Sequence, residues 1–123
     1  MAKILVIDDD EQIRGMIFKI LKQDHHDVFL AEDGEQGLLI YTKINPDLII
    51  TDIIMPNIDG IEVIIEISKI NPELPIIAIS GGRRAISANF NLDSAEMLGV
   101  NTILYKPFTG KDLLGAVNSL LIL

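Results

Sequence analysis

Acidic, hydroxyl and basic side chains follow short aliphatic runs at several points in this chain. The acidic run Asp8 to Glu11 comes directly after Ile4 to Ile7, and Asp52 ends a second aliphatic run. Ser80 and Lys106 end two more. If these runs are neighbouring parallel strands, three carboxylates, a hydroxyl and an ammonium converge at the carboxyl end of one sheet.

The chemistry available to such a group is specific. Carboxylates held together repel one another unless a divalent cation neutralises them. With only oxygen ligands in view, Mg²⁺ is the natural candidate, because it binds one or two carboxylates together with waters and phosphoryl oxygens. A carboxylate near Mg²⁺ can also attack phosphorus and become an aspartyl phosphate. Lys106 would then supply a cation and Ser80 a hydroxyl donor for the added charge.

The aliphatic runs themselves are rich in Ile, Leu and Val, and they are continuous rather than alternating. This pattern predicts parallel strands that are covered on both faces. The predicted strands are Ile4–Ile7, Val28–Ala31, Leu48–Ile50, Ile76–Ile79 and Thr102–Tyr105.

Stripes of apolar residues at helical spacing lie between the runs and predict helices that pack on the sheet. The stripes are Ile13, Ile17, Ile20 and Leu21; Leu38 and Tyr41; Val63, Ile64 and Ile67; and Leu113, Leu114, Val117, Leu120 and Leu121. Asn45-Pro46 and Asn71-Pro72 predict helix ends, and Thr109 with Asp112 predicts a capping box. Five strands alternating with five helices imply an open, doubly wound α/β sheet, which binds ligands beyond the carboxyl ends of its strands.

Composition narrows the class of protein. With 123 residues, 49% of them hydrophobic, we expect one folded domain with a single core. Ten Lys and Arg against 18 Asp and Glu give a net charge of −8, which argues against binding to nucleic acid or anionic membranes. The sequence has no cysteine and no apolar run near the ~20 residues that cross a bilayer, and the short run Ile4 to Ile7 before Asp8 predicts no signal peptide. We expect a cytoplasmic protein, monomeric or weakly dimeric.

The ordered set of motifs resembles a response-regulator receiver domain, the phosphoacceptor half of two-component signalling. The motifs are Asp8-Asp9, Asp52 to Pro56 with Asp59-Gly60 after it, Ser80, and Lys106-Pro107-Phe108. The resemblance covers essentially the whole chain. It implies a single-domain receiver of the chemotaxis-regulator type over residues 1–123, without an output domain, and a flavodoxin-like strand order 2-1-3-4-5.

The resemblance also implies how a metal would be held. Asp52 would be the phosphoacceptor and a metal ligand, and Asp9 would bind Mg²⁺ directly. Asp8 would act through a metal-bound water or a hydrogen bond. The backbone carbonyl of Ile54 would complete the set of protein ligands.

Further roles follow for residues near the lysine. Lys106 would pair with the phosphoacceptor or its phosphate, and a cis peptide bond is expected before Pro107. Ser80 would swing toward the phosphoryl oxygens. In many receivers an aromatic residue three positions before the lysine turns inward with that hydroxyl. This chain has Ile103 there, and Tyr105, ~6.6 Å further along the strand, would either take over this switch role or only pack.

Two connecting segments carry predictions of their own. Lys106 follows Ser80 by 106 − 80 = 26 positions, a few more than the family usually has, and the excess falls in Arg83 to Met97. We expect an unusual fourth helix and partner surface there. Gly60 is interpreted as a conformational glycine, one whose backbone other residues resist.

The leading functional hypothesis is a binding switch rather than a turnover enzyme, although it would assist its own phosphorylation and dephosphorylation. The donor would be a sensor histidine kinase or a histidine phosphotransfer protein, and the downstream target is a protein that the sequence does not identify. His25 and His26 are predicted to lie on the surface, far from the site. The phosphoryl-carrying histidine is therefore expected on the partner.

Two alternatives stay open. Asp8 and Asp10 form the Asp-x-Asp of haloacid-dehalogenase-type phosphatases, where the first Asp is the nucleophile and the second a general acid. Gln12 then stands where such enzymes usually have Thr or Val. The other alternative is a docking module that keeps the fold and is never phosphorylated.

Overall fold

Each predicted aliphatic run forms a strand in the computed structural model, which describes residues 2–53, 60–80 and 99–121. The strands are β1 (Lys3–Ile7), β2 (Asp27–Ala31), β3 (Leu48–Asp52), β4 (Ile76–Ser80) and β5 (Thr102–Tyr105). Among the described residues they form one parallel sheet in the order β2-β1-β3-β4-β5, which confirms the flavodoxin-like topology. β3 and β4 run slightly further than predicted, so that Asp52 and Ser80 are the last residues of their strands.

Four of the five predicted helices fall within the described residues. They are α1 (Glu11–Gln23), α2 (Gly34–Ile44), α3 (Gly60–Ile70) and α4 (Gly110–Leu121). The helix predicted between β4 and β5, with the lengthened segment Arg83 to Met97, falls outside the described ranges. Across those ranges, no helix combines the length and the apolar character that a membrane span requires.

Apolar side chains fill a layer on each face of the sheet, because successive residues of a strand point to opposite faces. On β1, Leu5 and Ile7 lie in the layer beneath α2 and α3, whereas Ile4 and Val6 lie in the layer beneath α1 and α4. All five positions of β3 and of β4 are buried. This two-sided burial explains the continuous aliphatic runs and confirms the doubly wound arrangement.

Polar side chains define the ends of the helices as the sequence predicts. Asp10 is the N-cap of α1, and its side chain accepts hydrogen bonds from two amides of the first turn. Asn45 ends α2 in the left-handed region with φ 51°. The Oγ1 of Thr109 accepts from Asp112 N at 3.0 Å, and the Oδ2 of Asp112 accepts from Thr109 N at 3.0 Å, which confirms the capping box.

The prediction for the histidine pair is half wrong. His25 is exposed, but His26 is buried, with 8% of its surface accessible. Its Nδ1 accepts a hydrogen bond from the backbone N–H of Ala2 at 3.3 Å, and its Nε2 lies 3.4 Å from Asp24 Oδ2. His26 thus satisfies an amide that precedes β1, at the end of the sheet opposite the predicted site.

Candidate phosphoryl-transfer and metal site

The register between β1 and β3 brings two carboxylates to the same level. Ile7 pairs with Thr51, so Asp8 and Asp52 come next on adjacent strands. Both are buried, and Asp9 is half-buried beside them. Each of the three residues offers a carboxylate oxygen, and these oxygens all lie within 4.8 Å of one another. The predicted acidic group is therefore present at the carboxyl end of the sheet.

Lys106 contributes the cation of this group. Its Nζ lies 3.5 Å from Asp52 Oδ2 and 3.8 Å from Asp8 Oδ2. Its backbone N–H donates to the carbonyl of Ser80 at 2.8 Å, which continues the pairing of β5 with β4 beyond the last strand residue. The peptide bond between Lys106 and Pro107 is cis, as the resemblance implies.

Asp8 is held by hydrogen bonds on three of its polar atoms. Its N–H donates to the Ala31 carbonyl at 3.1 Å, its Oδ1 accepts from Asp10 N at 2.9 Å, and its carbonyl accepts from Arg14 Nη1 at 2.8 Å. Its Oδ2 is buried and has no hydrogen bond to any residue in the described ranges. A buried carboxylate oxygen left in this way, facing two other carboxylates, is what a divalent cation would satisfy.

The raised pKa of Asp8 also supports a divalent cation at this position. Burial raises the pKa of Asp8 from 3.8 to about 7, against the lowering effect of the Asp10 N–H. The negative charges of Asp52 and Asp9 also contribute to this raised pKa, and the positive charge of Lys106 opposes them. One lysine therefore does not fully compensate the buried carboxylates. The donor set, all hard oxygen, fits Mg²⁺, which would favour the ionised form of Asp8.

The remaining predicted site residues are only partly brought together. Ser80 is buried at the end of β4, in register with Tyr105 on β5. Ile103 is half-buried and packs against the core layer beneath α2 and α3. Tyr105 is 55% exposed, so it does not pack into the core. Ile54 lies outside the described residues, so the role of its backbone carbonyl as a metal ligand stays a prediction.

Asp10 takes a structural position rather than a place in the carboxylate cluster. It is exposed, and its Oδ1 accepts from Gln12 N at 2.9 Å and from Ile13 N at 3.3 Å. Its carboxylate is thus turned to the first turn of α1 as an N-cap. This placement weighs against the phosphatase alternative, which requires Asp10 as a general acid.

Arg14 contacts the site, and the sequence reasoning missed it. Besides its bond to the Asp8 carbonyl, its Nη2 lies 3.7 Å from Glu32 Oε1. A signal was present in the sequence, since positions 14, 17 and 21 share one face of a helix. Ile17 and Leu21 on that face are fully buried. A cation on a buried face needs a specific partner.

The interpretation of Gly60 as a conformational glycine is wrong in its physical reason. Gly60 lies in the first turn of α3 without a left-handed φ, and its N–H donates to the Ile53 carbonyl at 2.8 Å. A Cβ at this position would collide with the carbonyl oxygen of Asp52 and would lie 2.7 Å from Ile53 Cα. Gly60 is required because α3 begins against the backbone at the end of β3.

We expect Gly60→Ala to lower the free energy of unfolding by about 3 kcal/mol, at the upper end of the usual cost of overpacking, because the obstacle is backbone. Gly115→Ala is the matched control. A Cβ at Gly115, also in a helix, meets nothing within 4 Å, so that variant is expected to gain about 0.5–1 kcal/mol. Urea unfolding of both variants gives the comparison. Equal stability of Gly60→Ala and wild type would contradict the collision.

The sequence matches a known protein family over most of its length. The family model described as "Response regulator receiver domain" matches residues 4–118. The response regulator MprA of Mycolicibacterium vanbaalenii is 31% identical over 120 residues, which are 98% of this chain and 50% of that protein. This chain thus spans about half the length of that curated relative.

Solved structures resemble this chain in fold over nearly its whole length. The chemotaxis protein CheY4 of Vibrio cholerae has a TM-score of 0.86 and 27% identity, with 98% of this chain and 99% of that chain covered. NtrX of Brucella abortus also has a TM-score of 0.86, with 32% identity over 98% of this chain and 27% of its own. The family match includes both acidic strand ends, Ser80 and Lys106-Pro107. With the sheet order and the cluster geometry described above, this chain belongs to the response regulator receiver domain family.

Proposed function

We propose that this chain is a phosphoacceptor switch whose reactive group is Asp52. In the presence of Mg²⁺, a phosphoryl group would pass to Asp52 from a histidine of a sensor kinase or of a histidine phosphotransfer protein. The modified chain would then change its affinity for a protein partner. The observation that carries this proposal is the convergence of three carboxylates and the Lys106 ammonium on the carboxyl end of β3.

In the transfer step, a carboxylate oxygen of Asp52 forms a bond to phosphorus as the phosphorus–nitrogen bond of the donor histidine breaks. The donor nitrogen keeps the electron pair of that bond. The Lys106 ammonium, 3.5 Å from Asp52 Oδ2, holds the nucleophile in place and opposes the added negative charge. Ser80, buried at the end of the next strand, offers a hydroxyl to the phosphoryl oxygens.

The residues proposed to hold the metal are Asp9, Asp52 and the Ile54 carbonyl, with Asp8 acting through a water or a hydrogen bond. The bound cation would neutralise oxygens of the transferring group. Asp8 and Asp9 would keep the cation at the end of β1, beside the nucleophile. Their cluster within 4.8 Å of Asp52 supports this assignment.

The partner classes follow from the same placement. His26 lies at the end of the sheet opposite the carboxylate cluster, bound to Ala2, which supports a phosphohistidine on the partner rather than in this chain. We propose a cytoplasmic switch, not a turnover enzyme, whose output is a protein contact.

Metal removal is the direct test of the proposal. We expect intact-mass analysis to find one added phosphoryl group after incubation with phosphoramidate and Mg²⁺. The adduct should be lost in excess EDTA, because buried carboxylates without a cation repel an incoming phosphoryl group. Adding Mg²⁺ back should restore it.

The other outcomes are also informative. If as much adduct forms in EDTA as with Mg²⁺, the transfer does not require the metal, and that part of the proposal is wrong. Folded protein that takes up no phosphoryl group at any Mg²⁺ concentration would favour the unphosphorylated docking module.

A further inference from the structure

Arg14 is a charged residue on a buried face of α1. Its side chain is only 13% exposed, and it shares its face with Ile17 and Leu21, which are fully buried. Arginine is seldom buried unless it is paired or hydrogen-bonded. Its contacts therefore identify what it does.

The two contacts of Arg14 differ in their surroundings. Nη1 donates to the Asp8 carbonyl at 2.8 Å in a partly buried place. Nη2 faces Glu32, whose side chain is 72% exposed, at 3.7 Å. An ion pair with so exposed a partner contributes little, whereas a charge-assisted hydrogen bond away from solvent is strong. The contact with Asp8 is therefore the important one.

That contact completes the restraint of one residue, Asp8. The N–H of Asp8 is fixed by Ala31 and its Oδ1 by the Asp10 amide, while Arg14 fixes its carbonyl. The carbonyl belongs to the peptide that joins Asp8 to Asp9. A change of the ψ angle of Asp8 would move this carbonyl away from Arg14 and re-orient Asp9 relative to Asp8.

We propose that Arg14 is a positioning residue for the divalent-cation site, because it holds the Asp8–Asp9 peptide in the orientation that directs both carboxylates toward Asp52. This inference rests on the magnesium site of the proposed function. It assigns to the site a residue of α1 that would not bind the metal or the phosphoryl group itself. Arg14 would instead determine the orientation of the carboxylates that bind the metal. Mutation of residues that orient metal ligands commonly weakens metal binding by 10- to 100-fold.

The sign of the effect separates positioning from simple charge. A guanidinium near a cation site repels the cation, so removing it would by itself tighten Mg²⁺ binding. Removing a residue that positions the ligands would weaken binding. The two explanations therefore predict opposite changes for Arg14→Met.

The experiment measures the Mg²⁺ dissociation constant of the whole chain at constant ionic strength, from amide NMR shifts, without phosphoryl donor. Four proteins are compared: wild type, Arg14→Met, Arg14→Lys and Lys19→Met. Lys19 is an exposed cation on the same helix, so its loss reports the effect of charge alone. We expect Arg14→Met to bind Mg²⁺ about tenfold more weakly than wild type. Arg14→Lys should recover part of the loss, and Lys19→Met should differ little or bind slightly more tightly.

The remaining outcomes overturn the proposal. Tighter binding by Arg14→Met would mean that Arg14 acts only as a charge. An unchanged dissociation constant with a lower free energy of unfolding would mean that Arg14 only attaches α1 to the loop. If Arg14→Met does not fold, Arg14→Lys decides, since its charge is that of wild type and only the donor geometry differs: unchanged binding overturns the proposal. A wild-type chain that binds no Mg²⁺ would overturn the metal site itself, and this proposal with it.

Discussion

Asp52→Asn is expected to take up no phosphoryl group under conditions that modify the wild-type chain fully. The amide has about the size of the carboxylate but is not a nucleophile, so the rate of adduct formation should fall by at least about a thousandfold. Intact mass after incubation with Mg²⁺ and phosphoramidate measures the effect. Asp52 is buried, and its Oδ2 lies nearer the Lys106 ammonium than that of Asp8, at 3.5 Å against 3.8 Å, which supports Asp52 as the candidate nucleophile.

Asp27→Asn is the matched control. Asp27 is exposed at the first position of β2, at the opposite end of the sheet, so its variant should form the full adduct. An adduct that persists in Asp52→Asn would move the nucleophile elsewhere, with Asp8 examined first, and would revive the phosphatase alternative. Peptide mapping of the modified residue would then locate the phosphoryl group.

Asp8→Asn is expected to stabilise the metal-free protein, and by more as pH rises. Burial raises the pKa of Asp8 in the folded chain to about 7, against 3.8 for an ordinary aspartate. The folded state thus binds this proton more tightly than the unfolded state does. Between about pH 4 and pH 7 the wild-type free energy of unfolding should fall as pH rises. Above that range the penalty is complete, about 4 kcal/mol at 1.36 kcal/mol per pKa unit.

Asparagine cannot ionise, so its variant avoids this penalty. Urea unfolding in EDTA at a series of pH values should give similar stabilities near pH 4 and a widening advantage for Asp8→Asn up to about pH 8. Asp27→Asn serves again as the control and should follow wild type. Saturating Mg²⁺ should stabilise wild type more than Asp8→Asn. A difference independent of pH, or an Asp8→Asn variant less stable than wild type at pH 8, would contradict the assignment of the buried charge.

Much of the fold could be predicted because its signals are local. Continuous aliphatic runs such as Ile4–Ile7 and Ile76–Ile79 indicate strands covered on both sides, and the structure confirms this burial. The carboxylate cluster could be predicted for a related reason. Residues that end parallel strands meet at one end of the sheet, so Asp8 and Asp52 become neighbours once the strand order is known.

The features that were missed depend on contacts between distant segments. Gly60 is required by the backbone of Asp52 across the sheet–helix junction, and composition gives no sign of that approach. The buried His26 accepts a hydrogen bond from the backbone N–H of Ala2, 24 positions away in the sequence. Arg14 differs from these, because its place on the apolar stripe of α1 was visible in the helical periodicity.

Lys106 follows β5, the edge strand of the sheet, yet its ammonium lies beside Asp52 on β3, two strands away. Neighbouring strands are about 4.8 Å apart, so the four-carbon side chain crosses the whole width of β4. The spacing between β3 and β5 therefore determines how closely the ammonium approaches the Asp52 carboxylate. A partner that displaces the edge strand outward would lengthen the 3.5 Å contact, and a change of charge at Asp52 would alter the pull on that strand. We therefore expect a change at the edge of the sheet and a change of charge at Asp52 to influence each other through the Lys106 side chain.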